Sequence, residues 1–269
     1  MPVRSLFAGF CLCYHRAMRP GDRQSRIIDT VKTQGKASVD ELAARFGTSV
    51  ETIRRDLTSL ARRGQLEKVH GGAIAPRIHG EGPFALRMQQ NGLAKRHIAQ
   101  KLRDLISPGD TLFIDTGSTT LIVAEALSAI DNLTIVTNST AIARTLAVGN
   151  PSTSIFLLGG NYIEDNRQTC GMMAQEQLNQ FHGNLAILTV AAVDSEAGLT
   201  DYSYEEAQMA RAMSRRAERV IALADSSKFD QAAPFVVADF AQIDALVCEQ
   251  APGGELARHL HEARVEVVC

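Results

Sequence analysis

Residues 38–72 read SVDELAARFGTSVETIRRDLTSLARRGQLEKVHGG. Ser38 with Glu41 and Thr48 with Glu51 both fit S/T-x-x-E, in which a hydroxyl and a carboxylate each satisfy a backbone donor of a helix's first turn, so two helix starts are expected ten residues apart. Gly47, directly after Phe46, is the residue type that ends a helix with positive φ. Val39, Leu42, Ala43 and Phe46 recur at helical spacing, as do Val50, Ile53, Leu57 and Leu60. An earlier helix with Ile27, Ile28 and Val31 stops at Gly35. The stretch therefore predicts a three-helix unit with a tight turn between its second and third members.

GQLEKVHGGAI (residues 64–74) reads as two short extended runs around His70-Gly71-Gly72, a hairpin with Lys68 and His70 at its tip. In that place a hairpin is the wing of a winged helix-turn-helix. The face of the third helix opposite Ile53 and Leu57 presents Ser49, Glu51, Thr52, Arg54 and Arg55, with Arg62 and Arg63 near its end. Hydroxyls at a helix N-terminus meet phosphate and base edges, and arginine neutralises phosphate or grips guanine bidentately. The candidate contacts to double-stranded DNA are Ser38, Ser49, Glu51, Thr52, Arg54, Arg55, Lys68 and His70.

Charge divides the chain in the same way. Residues 19–77 hold twelve Lys/Arg against seven Asp/Glu, whereas residues 80–269 hold fourteen against twenty-three. The first block suits a polyanion and the second does not. The five cysteines form no C-x-x-C or other metal-ligand spacing, which points to a reduced, cytoplasmic protein without a metal or other cofactor. LFAGFCLCYH, before Met18, lacks a small-residue cleavage site and is too short to span a bilayer, so no membrane role is expected. Residues 1–18 read as an extension, disordered or lying upstream of a start at Met18; an ordered arm packed on the body is the alternative.

The domains expected are 19–76 for DNA binding, 77–93 as a polar, glycine-containing linker, and 94–269 as a larger α/β domain. That domain opens with a helix over residues 94–106. It continues with strand-like runs TLFID (111–115), LTIVTN (133–138), SIFLLGG (154–160), LAILTVAAVD (185–194), VIALAD (220–225), DALVC (244–248) and VEVVC (265–269). Helix-like segments between most of them predict a mainly parallel, helix-covered sheet. Ligands of such sheets bind beyond the carboxyl ends of the strands. There stand DTGSTT (115–120), Asn138 and Ser139, Gly159 and Gly160, Asp194 before GLTD (198–201), and Asp225 before SSKF (226–229). DTGSTT is neither a Walker loop nor a G-x-G-x-x-G, but a glycine with hydroxyls opening a helix suits an anion. Together the set predicts a polar site for a small anionic metabolite.

Residues 23–76, above all SVETIRRDL followed by HGGA, resemble the N-terminal domain of the DeoR family of bacterial transcriptional repressors. The resemblance continues through FIDTGSTT, IVTNS, LLGG, QTCGMMA, GLTDYSYEEAQMARAM and ADSSKF. It implies a sensor domain like the ribose-5-phosphate isomerase group of folds, binding a phosphorylated sugar or polyol. By the resemblance Asp115, Gly117, Ser118, Thr119 and Thr120 surround the phosphate end with Lys228. Asp194, Asp201, Tyr204 and Glu205 serve the hydroxyl end, and Asn138, Gly159 and Gly160 complete the effector set. DYSYEEA, and IDALVCEQAP with the closing VEVVC, most resemble the glycerol-3-phosphate-responsive branch. One departure is Ala191-Ala192-Val193-Asp194, where many relatives carry glycine before the aspartate.

The function implied is a DNA-binding regulator, a homodimer or homotetramer, released from its operator by that effector. Repressor and activator are not separable by sequence. A sugar-phosphate isomerase-like enzyme with an appended DNA-binding domain is the alternative; it would need an acid and a base positioned on one substrate, with Asp194, Asp201, Glu205 and Lys228 as candidates.

Overall fold

The computed structural model describes residues 19–62, 66–74 and 81–269. The expected N-terminal extension, Arg63, the last two residues of the expected DNA-binding domain and residues 77–80 of the expected linker lie outside them. The chain divides into two compact units, one up to residue 77 and one from residue 78.

In the first unit helix α1 (Pro20–Gln34) ends at Gly35, whose φ of 74° suits only glycine without strain. Strand β1 (Lys36–Ser38) leads into α2 (Val39–Phe46), where Ser38 and Glu41 form the predicted reciprocal cap. Gly47 is left-handed, with φ 59°. The second expected cap is not formed. Thr48 still belongs to the end of α2, its N–H donating to the Ala43 carbonyl at 3.1 Å. Helix α3 (Val50–Arg62) is therefore capped one residue later, by Ser49 Oγ accepting the Thr52 N–H at 3.2 Å.

Strands β2 (Glu67–Val69) and β3 (Gly72–Ile74) make the predicted hairpin, and β1 joins its far side in the order β1-β3-β2. Three residues of β1 are too few to show a period in sequence. The pairing requires Gly72, since a Cβ there would stand 2.4 Å from the Ala37 carbonyl oxygen. Lys68 sits in the middle of β2, and the tip is His70-Gly71. Ile27, Val31, Leu42, Ile53, Leu57, Leu60 and Leu66 form the core.

The second unit begins earlier than the expected boundary at residue 94. Helix α4 (Phe84–Arg87) is a single turn inside the stretch read as linker, with Phe84 and Arg87 buried, and α5 (Gly92–Arg103) follows. Then come β4 (Thr111–Ile114), α6 (Ser118–Leu127), β5 (Thr134–Thr137), α7 (Thr140–Gly149) and β6 (Ser154–Leu157). A hairpin of β7 (Asn161–Ile163) and β8 (Gln168–Cys170) leads to α8 (Met172–Leu178) and β9 (Gly183–Thr189). Next are β10 (Ala192–Asp194), β11 (Gly198–Asp201), α9 (Tyr204–Ser214), β12 (Ala217–Leu223) and β13 (Phe235–Ala238). The chain ends with β14 (Ala245–Val247), α10 (Gly254–Glu262) and β15 (Glu266–Val268).

The main sheet has seven strands, all parallel, in the order β15-β14-β12-β9-β4-β5-β6. Alternate residues enter opposite cores: Leu112 and Ile114 pack with Ile98, Leu102, Val123 and Ile142, while Phe113 packs with Ala174, Leu178, Met209 and Met213. Each face is thus covered by helices, as a parallel sheet requires. LAILTVAAVD is two strands, not one. After Thr189 the chain leaves the main sheet, Ala191 N–H donates to the Thr200 carbonyl, and β10 pairs antiparallel with β11 and through it with β13.

Arg23 Nε donates to Asp56 Oδ2 at 2.5 Å and Gln24 Nε2 to Oδ1 at 2.8 Å, joining α1 to α3 where both charged side chains are almost wholly buried. Asp56→Ala leaves a buried guanidinium without this partner and should lower the stability of the first unit by about 3 kcal/mol. The check is a urea melt followed by circular dichroism, with the midpoint of that unit's transition falling and its slope unchanged.

Candidate functional site

The two units carry separate candidate sites. On α3, Ile53, Leu57 and Leu60 are fully buried, which turns Glu51, Arg54 and Arg55 to solvent. Arg55 Nε lies 3.6 Å from Glu51 Oε1 with both side chains largely exposed, a weak pair that phosphate can replace. Ser49 and Thr52 share a hydrogen bond of 2.8 Å at the head of the helix. Lys68 Nζ donates to the Thr58 hydroxyl at 3.1 Å, bracing the wing on α3, and His70 is exposed in the turn. Ser38 differs from the rest: its hydroxyl accepts the Glu41 N–H at 3.2 Å and is spent on capping α2.

In the second unit the strand order decides where a ligand fits. From β4 the chain steps outward through β5 and β6, then returns to β9 on the other side of β4 and steps outward through β12, β14 and β15. Helices that follow β4 and segments that follow β9 diverge at this reversal, opening a crevice at the carboxyl ends. Asp115, Gly117, Ser118, Thr119 and Thr120 lie there, with Gly117 capping α6. Its backbone is extended, and the reason for glycine is steric: a Cβ would stand 2.2 Å from Thr189 Cγ2 of β9. Thr120 donates its hydroxyl to the Gly117 carbonyl at 3.1 Å, bracing the turn.

One cleft, of about 280 Å³, is lined by Lys95, Ser118, Asn91, Ala191, Asp225 and Lys228, with Glu81 and Arg87 at its side. Lys95 Nζ donates to the Ser118 hydroxyl at 3.0 Å and to the Arg87 carbonyl at 2.5 Å. Burial pushes the Lys95 ammonium below its ordinary pKa. Lys228 Nζ donates to the Val190 carbonyl and, at 2.7 Å, to Glu81 Oε1. Arg87 Nη1 donates to Glu81 Oε2 at 2.5 Å, so one carboxylate bridges two cations. Burial alone would raise Glu81, but Lys228 and Arg87 outweigh it and hold the carboxyl below its ordinary value. Asp225 Oδ1 accepts from Asn91 Nδ2 at 2.9 Å.

A second cleft shares Glu81 and Arg87 and continues past Asn166, Asp201, Tyr202 and Glu206. It is acidic. Burial pushes the Asp201 carboxyl up to about 6, against the Ser203 N–H that it accepts. Burial, with Asp201 nearby, pushes Glu206 up to about 7, although Glu206 accepts from Asn166 Nδ2 and Gln168 Nε2. Asp115, completely buried, is held well above the ordinary range by burial and then by Glu206. The paired clefts offer cations and a helix N-terminus on one side, and acceptors for hydroxyl groups on the other.

Other sequence candidates fall elsewhere. Asp194 ends β10, not a strand of the main sheet, and its Oδ1 accepts the N–H groups of Glu196 and Ala197 at 3.0 and 2.8 Å in the turn before β11. Gly160, with φ 137°, is needed where a Cβ would meet the Cys170 carbonyl oxygen at 2.5 Å, while Gly159 N–H donates to Gln177. Asn138 is buried and donates to the Thr169 carbonyl at 3.0 Å, holding β8 against the end of β5. Tyr204 packs edge-on against Phe235 and is half exposed; Tyr202 is the tyrosine of the clefts. Glu205 is exposed, and Glu206 faces the acidic cleft instead.

Two of these could have been read from helical spacing. Lys95 shares a face with the buried Ile98, Ala99 and Leu102, and Glu206 shares one with Met209, Ala210 and Met213. Glu81, ahead of α4, and Arg87, at the end of that single turn, carry no such signal. Among the described residues no helix is long and apolar enough to cross a membrane, and no His/Cys/Asp/Glu cluster is arranged to hold a metal.

Asp201 and Glu206 keep protons in the folded state that the unfolded chain gives up, so stability should fall as pH rises from about 4 to about 7. Glu206→Gln removes that residue's share of the dependence while keeping the oxygen that Gln168 donates to. The expected result is a flatter plot of unfolding midpoint against pH, read over that window.

Comparison with known proteins matches residues 23–78 to a DeoR-like helix-turn-helix domain and residues 90–250 to a DeoR C-terminal sensor domain. The glycerol-3-phosphate regulon repressor of Escherichia coli is 32% identical over 250 residues, 93% of this chain and 99% of the relative. A transcriptional repressor of Agrobacterium fabrum, AccR, is 35% identical over 85% of this chain and 89% of its own. Among solved structures, ribose 5-phosphate isomerase A of Methanocaldococcus jannaschii is 13% identical with a TM-score of 0.37, over 50% of this chain and 53% of that one.

Proposed function

This chain belongs to the DeoR family, and we propose that it represses an operon of carbohydrate or glycerol metabolism and leaves its operator when a phosphorylated polyol, glycerol 3-phosphate first among them, enters the paired clefts. It is a DNA-binding, sugar-phosphate-responsive regulator. The observation that carries the finer reading is the division of the site: Lys95, Lys228, Arg87 and the head of α6 suit a phosphate, while Asp201 and Glu206, beyond Arg87, suit hydroxyl groups. A phosphate on a short polyol has both ends. The name of the E. coli relative, a glycerol-3-phosphate regulon repressor, supports the same choice.

On DNA, α3 enters the major groove with Arg54 and Arg55 toward bases and phosphates, and the wing reaches the backbone through His70 and Lys68. A homodimer or homotetramer sets two such helices about one turn of DNA apart, roughly 34 Å, on repeated or palindromic half-sites. The protein works in the cytoplasm, where its DNA is.

The reading is tested by fluorescence anisotropy with DNA from upstream of the protein's own gene, at a stated ionic strength. Arg54→Ala and Arg55→Ala should each weaken binding by about 1–3 kcal/mol. Where the lost contact is to phosphate, the dependence of log K on log salt should fall by about one charge. Lys228→Ala should bind the operator normally and ignore glycerol 3-phosphate. Unchanged operator affinity in both arginine variants removes α3 from the interface; a normal response in the lysine variant removes Lys228 from the effector site.

A further inference from the structure

Glu81 occupies the position that the proposed effector's phosphate needs. Its Oε1 accepts from Lys228 at 2.7 Å and its Oε2 from Arg87 at 2.5 Å, so both oxygens hold donors that an entering anion would use. It also lines both clefts, standing between the cationic and the acidic side. A ligand with its phosphate against Lys228 and its hydroxyls toward Glu206 has to pass through that place.

Charge points the same way. The cationic cleft is lined by three cations, Arg87, Lys95 and Lys228, and two carboxylates, Glu81 and Asp225, a balance of +1. With Glu81 withdrawn the balance is +2, which matches a phosphate monoester beyond its second ionisation, near pH 6. Asp225 is held by Asn91 and Ser227 on the wall, whereas the hydrogen bonds of the Glu81 carboxylate are to the two cations. Of the two carboxylates, Glu81 is the one an anion can replace.

Resting on the effector reading above, we propose that Glu81 is a built-in occupant of the effector site: its carboxylate neutralises Lys228 and Arg87 when the effector is absent, and the effector's phosphate displaces it. Six residues separate Glu81 from Ile74, the last residue of the wing strand β3. Displacement therefore frees the start of the second unit next to its covalent connection with the DNA-binding unit, and the two arrangements of Glu81 are the states that the effector distinguishes.

The test is isothermal titration calorimetry of the full chain with sn-glycerol 3-phosphate and with inorganic phosphate, on wild type, Glu81→Gln and Lys228→Ala. The amide keeps the size of the side chain and removes the competing charge. If Glu81 blocks about nine-tenths of the sites in wild type, Glu81→Gln should bind glycerol 3-phosphate about tenfold more tightly. Lys228→Ala should lose binding. Equal or weaker binding by Glu81→Gln, with binding lost in Lys228→Ala, overturns the displacement and leaves the effector site standing. Unaltered binding by Lys228→Ala, or no binding of either probe to any of the proteins, overturns both.

Should the glutamine variant fail to fold, hydrogen exchange of the wild type decides. Glycerol 3-phosphate should speed exchange of the Leu86 and Arg87 amides, which donate to the Pro83 carbonyl, and slower exchange there would mean that the segment closes over the ligand with Glu81 in place.

Discussion

The reversal of strand order between β4 and β9 is the constraint from which the second unit's site follows. Strands laid outward in both directions from that pair leave no crossover helix above the gap between them, so the crevice is a product of topology before any side chain enters it. The gap is narrow at its base, where Gly117 meets Thr189, and the absence of a Cβ lets the head of α6 sit directly against β9. Ser118 comes to Lys95 at that position, and the segment after β12 carries Lys228 to the Val190 carbonyl at the end of β9. Three stretches distant in sequence thus deliver cations and a helix N-terminus to one place.

Once those cations are buried, the rest is set by the cost of leaving charge uncompensated in a poorly hydrated site. Lys95 shows that cost in its lowered pKa, since its nearest hydrogen-bond partners, a carbonyl and a hydroxyl, carry no charge. Lys228 and Arg87 share a carboxylate instead. On the acidic side the compensation takes the other form available to a buried acid: Asp115, Asp201 and Glu206 hold their protons to higher pH. A protonated carboxyl both donates and accepts, which is the property needed to grip a hydroxyl group.

Regular features were legible in the sequence, and side-chain allegiance was less so. The cap at Ser38, the left-handed Gly47, the helical apolar periods and the strand runs of the main sheet all depend on neighbours within a few residues, and the chain alone displays them. β1, β7 and β8 are three residues each and exist through their pairing partners, so no period announces them. Asp194 looked like the end of a main-sheet strand because LAILTVAAVD is apolar without interruption; the departure after Thr189 follows from the Ala191 hydrogen bond to Thr200, a tertiary event. Helical spacing does distinguish Glu206 from Glu205, since one face of α9 carries Glu206 with Met209 and Met213. Glu81 was not within reach. Its role comes from ion pairs with Arg87, six residues on, and with Lys228, which local pattern cannot reveal.

An effector changes a regulator only through unequal affinity for two arrangements of the protein; equal affinity, however tight, shifts nothing. A pocket of cations with no internal anion would bind phosphate while offering little to tell the arrangements apart. With Glu81 as resident, the empty and the filled site differ by the position of a charged side chain, and the energy of its two ion pairs enters the balance on one side only. By linkage the same energy must appear in the other binding reaction: if operator DNA favours the arrangement with Glu81 seated, then DNA weakens the effector by the factor with which the effector weakens DNA. The sensing range is then set by how firmly Arg87 and Lys228 hold Glu81, and it can change by substitutions at the head of the second unit without any change in the residues that touch the ligand.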